Sequence, residues 1–204
     1  MTFTPKPDES AVKHDSDLRG YSTPPLHSQP PYVYTSSSGG GAVSFTGKKM
    51  LIVESGPNVG DTADVWLYQD YSYGDVSKVV MEVLVGFRNP PVYDESWYIG
   101  FLGGSSTAHD LQYGIDYQTG EYYFDGATRQ ATMPNDNQRT LVRVIIDYEN
   151  DQTTIEQKAG VNESETRSGT TTRIRAGIGA ENVNGVSNIG KNNDIQFIRY
   201  NAEI

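Results

Sequence analysis

Carboxylates, aromatic rings and hydroxyls are the groups through which this chain could do chemistry, since its 204 residues include no cysteine and only three histidines. Glycoside hydrolysis needs two carboxylates on one face, one acting as nucleophile or base and the other as general acid. The nearest pair, Asp116 and Glu121, lies either side of a turn at Gly120, which disfavours a shared face. Asp94 and Glu95 beside Trp97 are adjacent in sequence, so in a strand they point to opposite sides. A close Glu-x-Asp-x-Glu run is absent. Ser105-Ser106-Thr107-Ala108-His109-Asp110 gathers the residue types of a hydrolytic triad, but a triad is made by tertiary geometry and this run reads as a loop. Gly56-Pro57-Asn58-Val59-Gly60 lacks the Lys and Ser/Thr of a phosphate loop. We expect no enzyme.

Binding chemistry is better supplied. A sugar needs an aromatic platform for its C–H face, with amides or carboxylates for its hydroxyls. Tyr93, Asp94, Trp97 and Tyr98 form one such set, and Tyr122 and Tyr123, near Asp125 and Arg129, form a second. Calcium takes oxygen ligands, and Asp61, Asp64 and Asp194 are candidates, none within a complete coordination motif. No cofactor is required by any of this chemistry.

The elements that position these residues are strands. From Ala42 onward, short β-branched and aromatic runs recur about every ten residues between Gly, Asn and Asp turns, as in a sandwich. Strands are expected near 42–46, 49–54, 63–69, 78–87, 96–102, 110–117, 121–125, 140–148, 152–157, 171–178 and 194–200. Val79 to Val85 is nearly apolar throughout and reads as a central strand covered on both sides. Val142, Val144 and Ile146 alternate with Arg143, Ile145 and Asp147, and Glu149 to Gln152 turns that strand into a hairpin. No helical period competes.

Residues 1–41 are different. Six of the ten prolines fall there (Pro5, Pro7, Pro24, Pro25, Pro30 and Pro31), and Ser36 to Gly41 reads as a joint. The segment is expected to be an extended, irregular N-terminal arm, with 42–204 as the sandwich domain. Tyr21, Leu26, Tyr32, Val33 and Tyr34 would dock the arm on another subunit of an assembly.

Composition narrows the partners. A formal charge of −10 argues against a nucleic-acid binder, which needs a basic face to displace counterions from phosphates. No run approaches the roughly 18 apolar residues of a membrane span. The N-terminus lacks the charged start and apolar run of a signal peptide.

The run Leu141-Val142-Arg143-Val144-Ile145-Ile146-Asp147-Tyr148, turning into Gln152-Thr153-Thr154-Ile155, resembles the late hairpin of concanavalin A-like or laminin G-like jelly-roll sandwiches. Phe45 to Ile52 resembles their opening strands, and Asp194 to Tyr200 their closing strand. The resemblance implies an all-β, antiparallel two-sheet jelly roll, in a family of lectins, glycan-binding modules, glycosidases and adhesion domains. With the arm, the chain is also similar to virion surface components such as head decorations, turrets or tail appendages; its acidity would suit a virus of a salt-loving host. The expectation is therefore a non-enzymatic surface subunit of a larger particle, anchored by the arm, oligomeric and contacting host glycans. The alternative is a soluble lectin-like carbohydrate-binding domain, and after it a diverged glycoside hydrolase.

Overall fold

The computed structural model describes residues 11–17, 33–45, 51–54, 56–67, 76–86, 95–102, 111–117, 119–132, 139–158, 162–170, 175–182 and 194–203. All regular elements among them are strands: β1 (Ala11–Asp17), β2 (Val33–Ser38), β3 (Ala42–Phe45), β4 (Leu51–Glu54), β5 (Thr62–Leu67), β6 (Lys78–Gly86), β7 (Glu95–Leu102), β8 (Leu111–Asp116), β9 (Glu121–Phe124), β10 (Ala127–Gln130), β11 (Arg139–Asp147), β12 (Gln152–Lys158), β13 (Glu163–Ser168), β14 (Arg175–Asn182) and β15 (Asp194–Glu203). They form an eight-stranded sheet, ordered β13-β12-β11-β6-β15-β4-β3 with β1 also on β15, and a seven-stranded sheet ordered β10-β9-β8-β7-β14-β5-β2.

Alternation along each strand builds the core between the sheets. In β6, Val79, Met81, Val83 and Val85 are buried while Lys78, Val80, Glu82 and Leu84 are half-buried. β11 repeats the pattern with Val142, Val144 and Ile146. Ile99 and Phe101 of β7, Ile115 of β8 and Ile178 of β14 face them from the other sheet. Each such side chain contributes about 1.5–3 kcal/mol by leaving water.

β6 is central, lying between β11 and β15, and its second face, half-buried throughout, mixes Val80 and Leu84 with Lys78 and Glu82. There Arg143 donates from Nε to Glu82 Oε1 at 2.8 Å and from Nη1 to Glu156 Oε2 at 3.1 Å, because these three residues are cross-strand neighbours. Opposite charges in register suit a solvated sheet face.

The hairpins follow their turn residues. Between β11 and β12, the Asp147 carboxylate accepts the backbone N–H and Nδ2 of Asn150, both at 3.0 Å, and Asp151 takes φ 50°. Asp125 (φ 45°) and Gly126 (φ 86°) make the two-residue turn joining β9 to β10. Positive φ at both positions matches the right-handed twist of the flanking strands.

The sandwich begins before Ala42, which corrects the expected arm. β2 pairs with β5 from Val33↔Leu67 to Ser38↔Thr62, and β1 pairs with β15 from Ala11↔Glu203 to Asp17↔Phe197. Val33 and Tyr34, expected to dock on another subunit, therefore lie in a ladder of their own chain, opposite Leu67 and Trp66. Tyr21, Leu26 and Tyr32 lie outside the described residues.

Candidate functional site

Residues on the seven-stranded sheet that point away from the core fall into register across it. One row runs Asp64, Gly179, Tyr98, Asp116, Glu121, Gln130 from β5 to β10. The next row runs Tyr34, Trp66, Gly177, Gly100, Gly114, Tyr123, Thr128. Their sequence neighbours Val65, Ile99, Ile115 and Tyr122 belong to the core, so period-2 alternation assigns both rows to the outer face.

The first row contains the carboxylate pair. Asp116 and Glu121 are direct partners across the β8–β9 hairpin and do share a face, because the turn at Gly120 returns the chain in register. Directly opposite residues stand about 5 Å apart at Cβ. Glu121 Oε1 accepts from Thr128 Oγ1 and Gln130 Nε2, each at 3.3 Å, and Asp116 is buried. Above the pair lies Tyr123, half-buried against Tyr98 and Leu111. Burial pushes its phenol above the ordinary range, and the Asp116 and Glu121 carboxylates act in the same direction. The end of the sheet near the hairpin thus presents the half-buried Tyr123 ring and Glu121 carboxylate with the exposed side chains of Thr119, Thr128 and Gln130, while Asp116 is buried.

The other expected platform residues are placed differently. Tyr98 is fully buried, its ring lying over Gly179, where a Cβ would come within 2.1 Å of its Cζ, and its hydroxyl donates to Asp64. Tyr122 is fully buried in the core, because it alternates with Tyr123. Neither can serve as a platform. Trp97 lies in β7, its side chain outside the description, and Tyr93 and Asp94 lie outside the described residues, as do Ser105 to Asp110. Arg129 turns inward and pairs with Glu165 (2.7 Å) and Glu163 (3.7 Å) of β13.

The calcium candidates do not converge. Asp61 Oδ2 accepts the backbone N–H of Asn58 at 3.0 Å and its Nδ2 at 3.2 Å, so it closes the 57–60 turn. Glycines enclose that carboxylate: a Cβ on Gly39 or Gly56 would reach within 1.7 and 2.1 Å of its oxygens. Asp64 is held by Tyr98. Asp194 stands in β15 of the other sheet, opposite Ile52 and Gly86. Among the described residues, no group of three or more His, Cys, Asp or Glu could hold a metal.

Sequence reading also missed a polar network inside the sandwich. Tyr117 donates to Gln157 Oε1 at 3.0 Å, and Gln157 Nε2 donates to the Tyr122 hydroxyl at 3.2 Å and to the Thr132 carbonyl at 2.9 Å. Gln157 is fully buried. Its place on the inner register of β12, two residues beyond Ile155, was the available signal.

Titration of these groups has a predictable sign. The backbone N–H groups of Asn58 and Gly40 hold Asp61 below its usual 3.8, and Asn150 does the same for Asp147. Depressed folded-state values contribute stability above the unfolded value, lost as pH falls through the folded one. Burial raises Tyr113 and Tyr122 to about 12 against 10 when unfolded, so the stability they contribute is present below pH 10 and lost as pH rises toward 12. Thermal midpoints should therefore fall below about pH 4 and above about pH 10. Asp61→Asn should flatten the acid limb alone, and an unchanged acid limb would contradict the Asp61 assignment.

Comparison with known proteins bears on fold. No family model and no curated protein matches the sequence. Among solved structures, a protein of unknown function from Shewanella oneidensis MR-1 superposes with TM-score 0.67 at 12% identity, over 100% of this chain and 91% of that one. Arcelin-5, a lectin-like defense protein from Phaseolus vulgaris, gives TM-score 0.67 at 8% identity, over 96% and 100%. The Emp47p carbohydrate recognition domain gives 0.58 at 12% identity, over 94% and 96%. Near-complete coverage in both directions means that the whole chain shares one architecture, and this protein has the concanavalin A-like β-sandwich fold of the legume lectins.

Proposed function

We propose that the protein is a lectin-like carbohydrate-binding module whose sugar site is the Tyr123 end of the seven-stranded sheet. The observation that carries this reading is the half-buried Tyr123 ring standing beside Glu121 and the exposed Gln130 on adjoining strands. The exposed part of a half-buried ring offers apolar contact to sugar C–H groups, while carboxylate and amide groups orient the hydroxyls. Similarity in fold to a carbohydrate recognition domain and to a lectin-like protein supports the reading.

Binding without hydrolysis is part of the proposal. A glycosidase needs one carboxyl to donate a proton and the other to attack or activate water within an open cleft. Asp116 is buried, and Glu121 is engaged by Thr128 and Gln130. Binding should likewise proceed without calcium, because Asp61 and Asp64 are already satisfied within the protein. We place carbohydrate binding ahead of a particle-surface role, since two parts of the arm that suggested such a role are strands of the sandwich.

A glycan array probed with the full chain, with and without chelator, tests this reading. Tyr123→Ala should weaken the best ligand about 30-fold, corresponding to the roughly 2 kcal/mol of an aromatic hot spot. No binder on a broad array, or Tyr123→Ala binding as well as the parent, would remove the proposal. Release of reducing ends would contradict its non-hydrolytic part.

A further inference from the structure

Among the described residues, half-buried carboxylates are neutralised by cations, with one exception. Asp147 faces Lys78 at 3.5 Å, Glu82 and Glu156 flank Arg143, and Glu163 and Glu165 flank Arg129. Glu121 is likewise half-buried but has no Lys or Arg partner among them. Thr128 Oγ1 and Gln130 Nε2 both donate to its Oε1, each at 3.3 Å, and no described residue donates to its Oε2. Arg129, between Thr128 and Gln130 in sequence, turns away toward β13. Shielding of a sheet edge does not explain the charge, because β9 lies between β8 and β10.

Its neighbours sharpen the exception. Glu121 stands directly opposite Asp116, and like charges in that relation destabilise a sheet. Tyr123 follows two residues later on the same face. A carboxylate with an open oxygen, beside a second acid and an aromatic ring, is complementary to a small organic cation. An ammonium group donates to the carboxylate in a charge-assisted hydrogen bond, and the ring face attracts the same charge.

We infer that the ligand of the Tyr123 site is an amino sugar with a free, protonated amine, and that Glu121 selects it. This rests on the carbohydrate-binding reading of the site and narrows its substrate class. The ammonium supplies the counter-ion that the fold provides for the other half-buried carboxylates and omits here. An N-acetylated sugar brings no charge, and an acidic sugar brings the wrong sign to a protein of net charge −10.

Calorimetric titration of the full chain with glucosamine and galactosamine disaccharides tests the inference, at about pH 6 where such amines carry a proton, against their N-acetylated forms. The free amine should bind about 10-fold more tightly, near the low end for a hydrogen bond to a charged group because Glu121 is only half-buried. Glu121→Gln keeps the side-chain shape and should abolish that preference, while Tyr123→Ala should weaken both forms alike. Glu149→Gln, an equal change of charge at an exposed turn of the other sheet, should alter nothing. Equal or tighter binding of the N-acetylated sugars, lost in Tyr123→Ala, would overturn the amine selectivity and leave the Tyr123 site standing. A preference that Glu121→Gln leaves intact, or that Glu149→Gln reduces as much, would overturn it as well, since general attraction to an acidic protein would then suffice. Amine-selective binding that needs Glu121 but not Tyr123 would support the charge site and remove the aromatic platform. Failure of both forms to bind would overturn the inference, and the glycan array would judge the Tyr123 site separately.

Discussion

Gly114→Ala should destabilise the protein by about 3 kcal/mol or more in urea denaturation, a cost far above that of most single methyl additions. Gly114 of β8 stands opposite Gly100 of β7, and the two strands approach closely there. A Cβ on Gly114 would lie 2.2 Å from the Ile99 carbonyl oxygen and 2.8 Å from Gly100 Cα. A Cβ on Gly100 would meet Tyr113 O at 2.2 Å and Gly114 Cα at 2.7 Å. These are backbone atoms in the middle of a sheet, so no side chain can rotate to relieve the clash. Gly126→Ala separates this steric cause from a conformational one. Gly126 has φ 86° but nothing within 4 Å of its added Cβ, so only the left-handed backbone is penalised, by about 1–2 kcal/mol. If Gly114→Ala proved no worse than Gly126→Ala, the close approach of β7 and β8 would be wrong.

Gln157→Leu should cost about 3 kcal/mol despite its similar volume, because it removes one partner from a buried network and leaves the others. The Tyr117 hydroxyl would lose its acceptor, and the Tyr122 hydroxyl and Thr132 carbonyl their donor. Each buried group left unsatisfied costs about 1–3 kcal/mol, whereas replacing partners together with apolar groups can be nearly neutral. Tyr117→Phe and Tyr122→Phe in the Gln157→Leu background should therefore recover much of the loss. If the triple variant were less stable than Gln157→Leu alone, the network would not account for the effect.

The strands with an apolar face were legible in the sequence, and those without one were not. β6, β7, β8, β11 and β12 lie close to where alternating or continuous apolar runs place them, because each contributes one face to the core. β10 (Ala-Thr-Arg-Gln) and β13 (Glu-Ser-Glu-Thr-Arg-Ser) are polar edge strands, whose sequences are shaped by solvent and by ion pairs across the mouth of the sandwich rather than by core burial. β2 and β1 were read as arm because Ser-rich and charged runs carry no period, although main-chain pairing to β5 and β15 does not need one.

The candidate site was half legible for the same reason. Composition pointed to tyrosines and acids near the β8–β9 hairpin, but only the register decides which tyrosine faces outward. A shift by one residue would exchange Tyr122 and Tyr123 between core and surface. The Asp116 and Glu121 pairing also needed the register, since the turn between them hides a shared face that sequence spacing disfavours.

The most direct measurement of the central claim is a titration of the isotope-labelled chain with its best array ligand, followed through the backbone amides. Shift changes concentrated at Asp116, Glu121 to Tyr123 and Thr128 to Gln130 are the predicted result. Changes confined to the 56–61 turn or to the eight-stranded sheet, with those amides unmoved, would contradict the assignment of the sugar site.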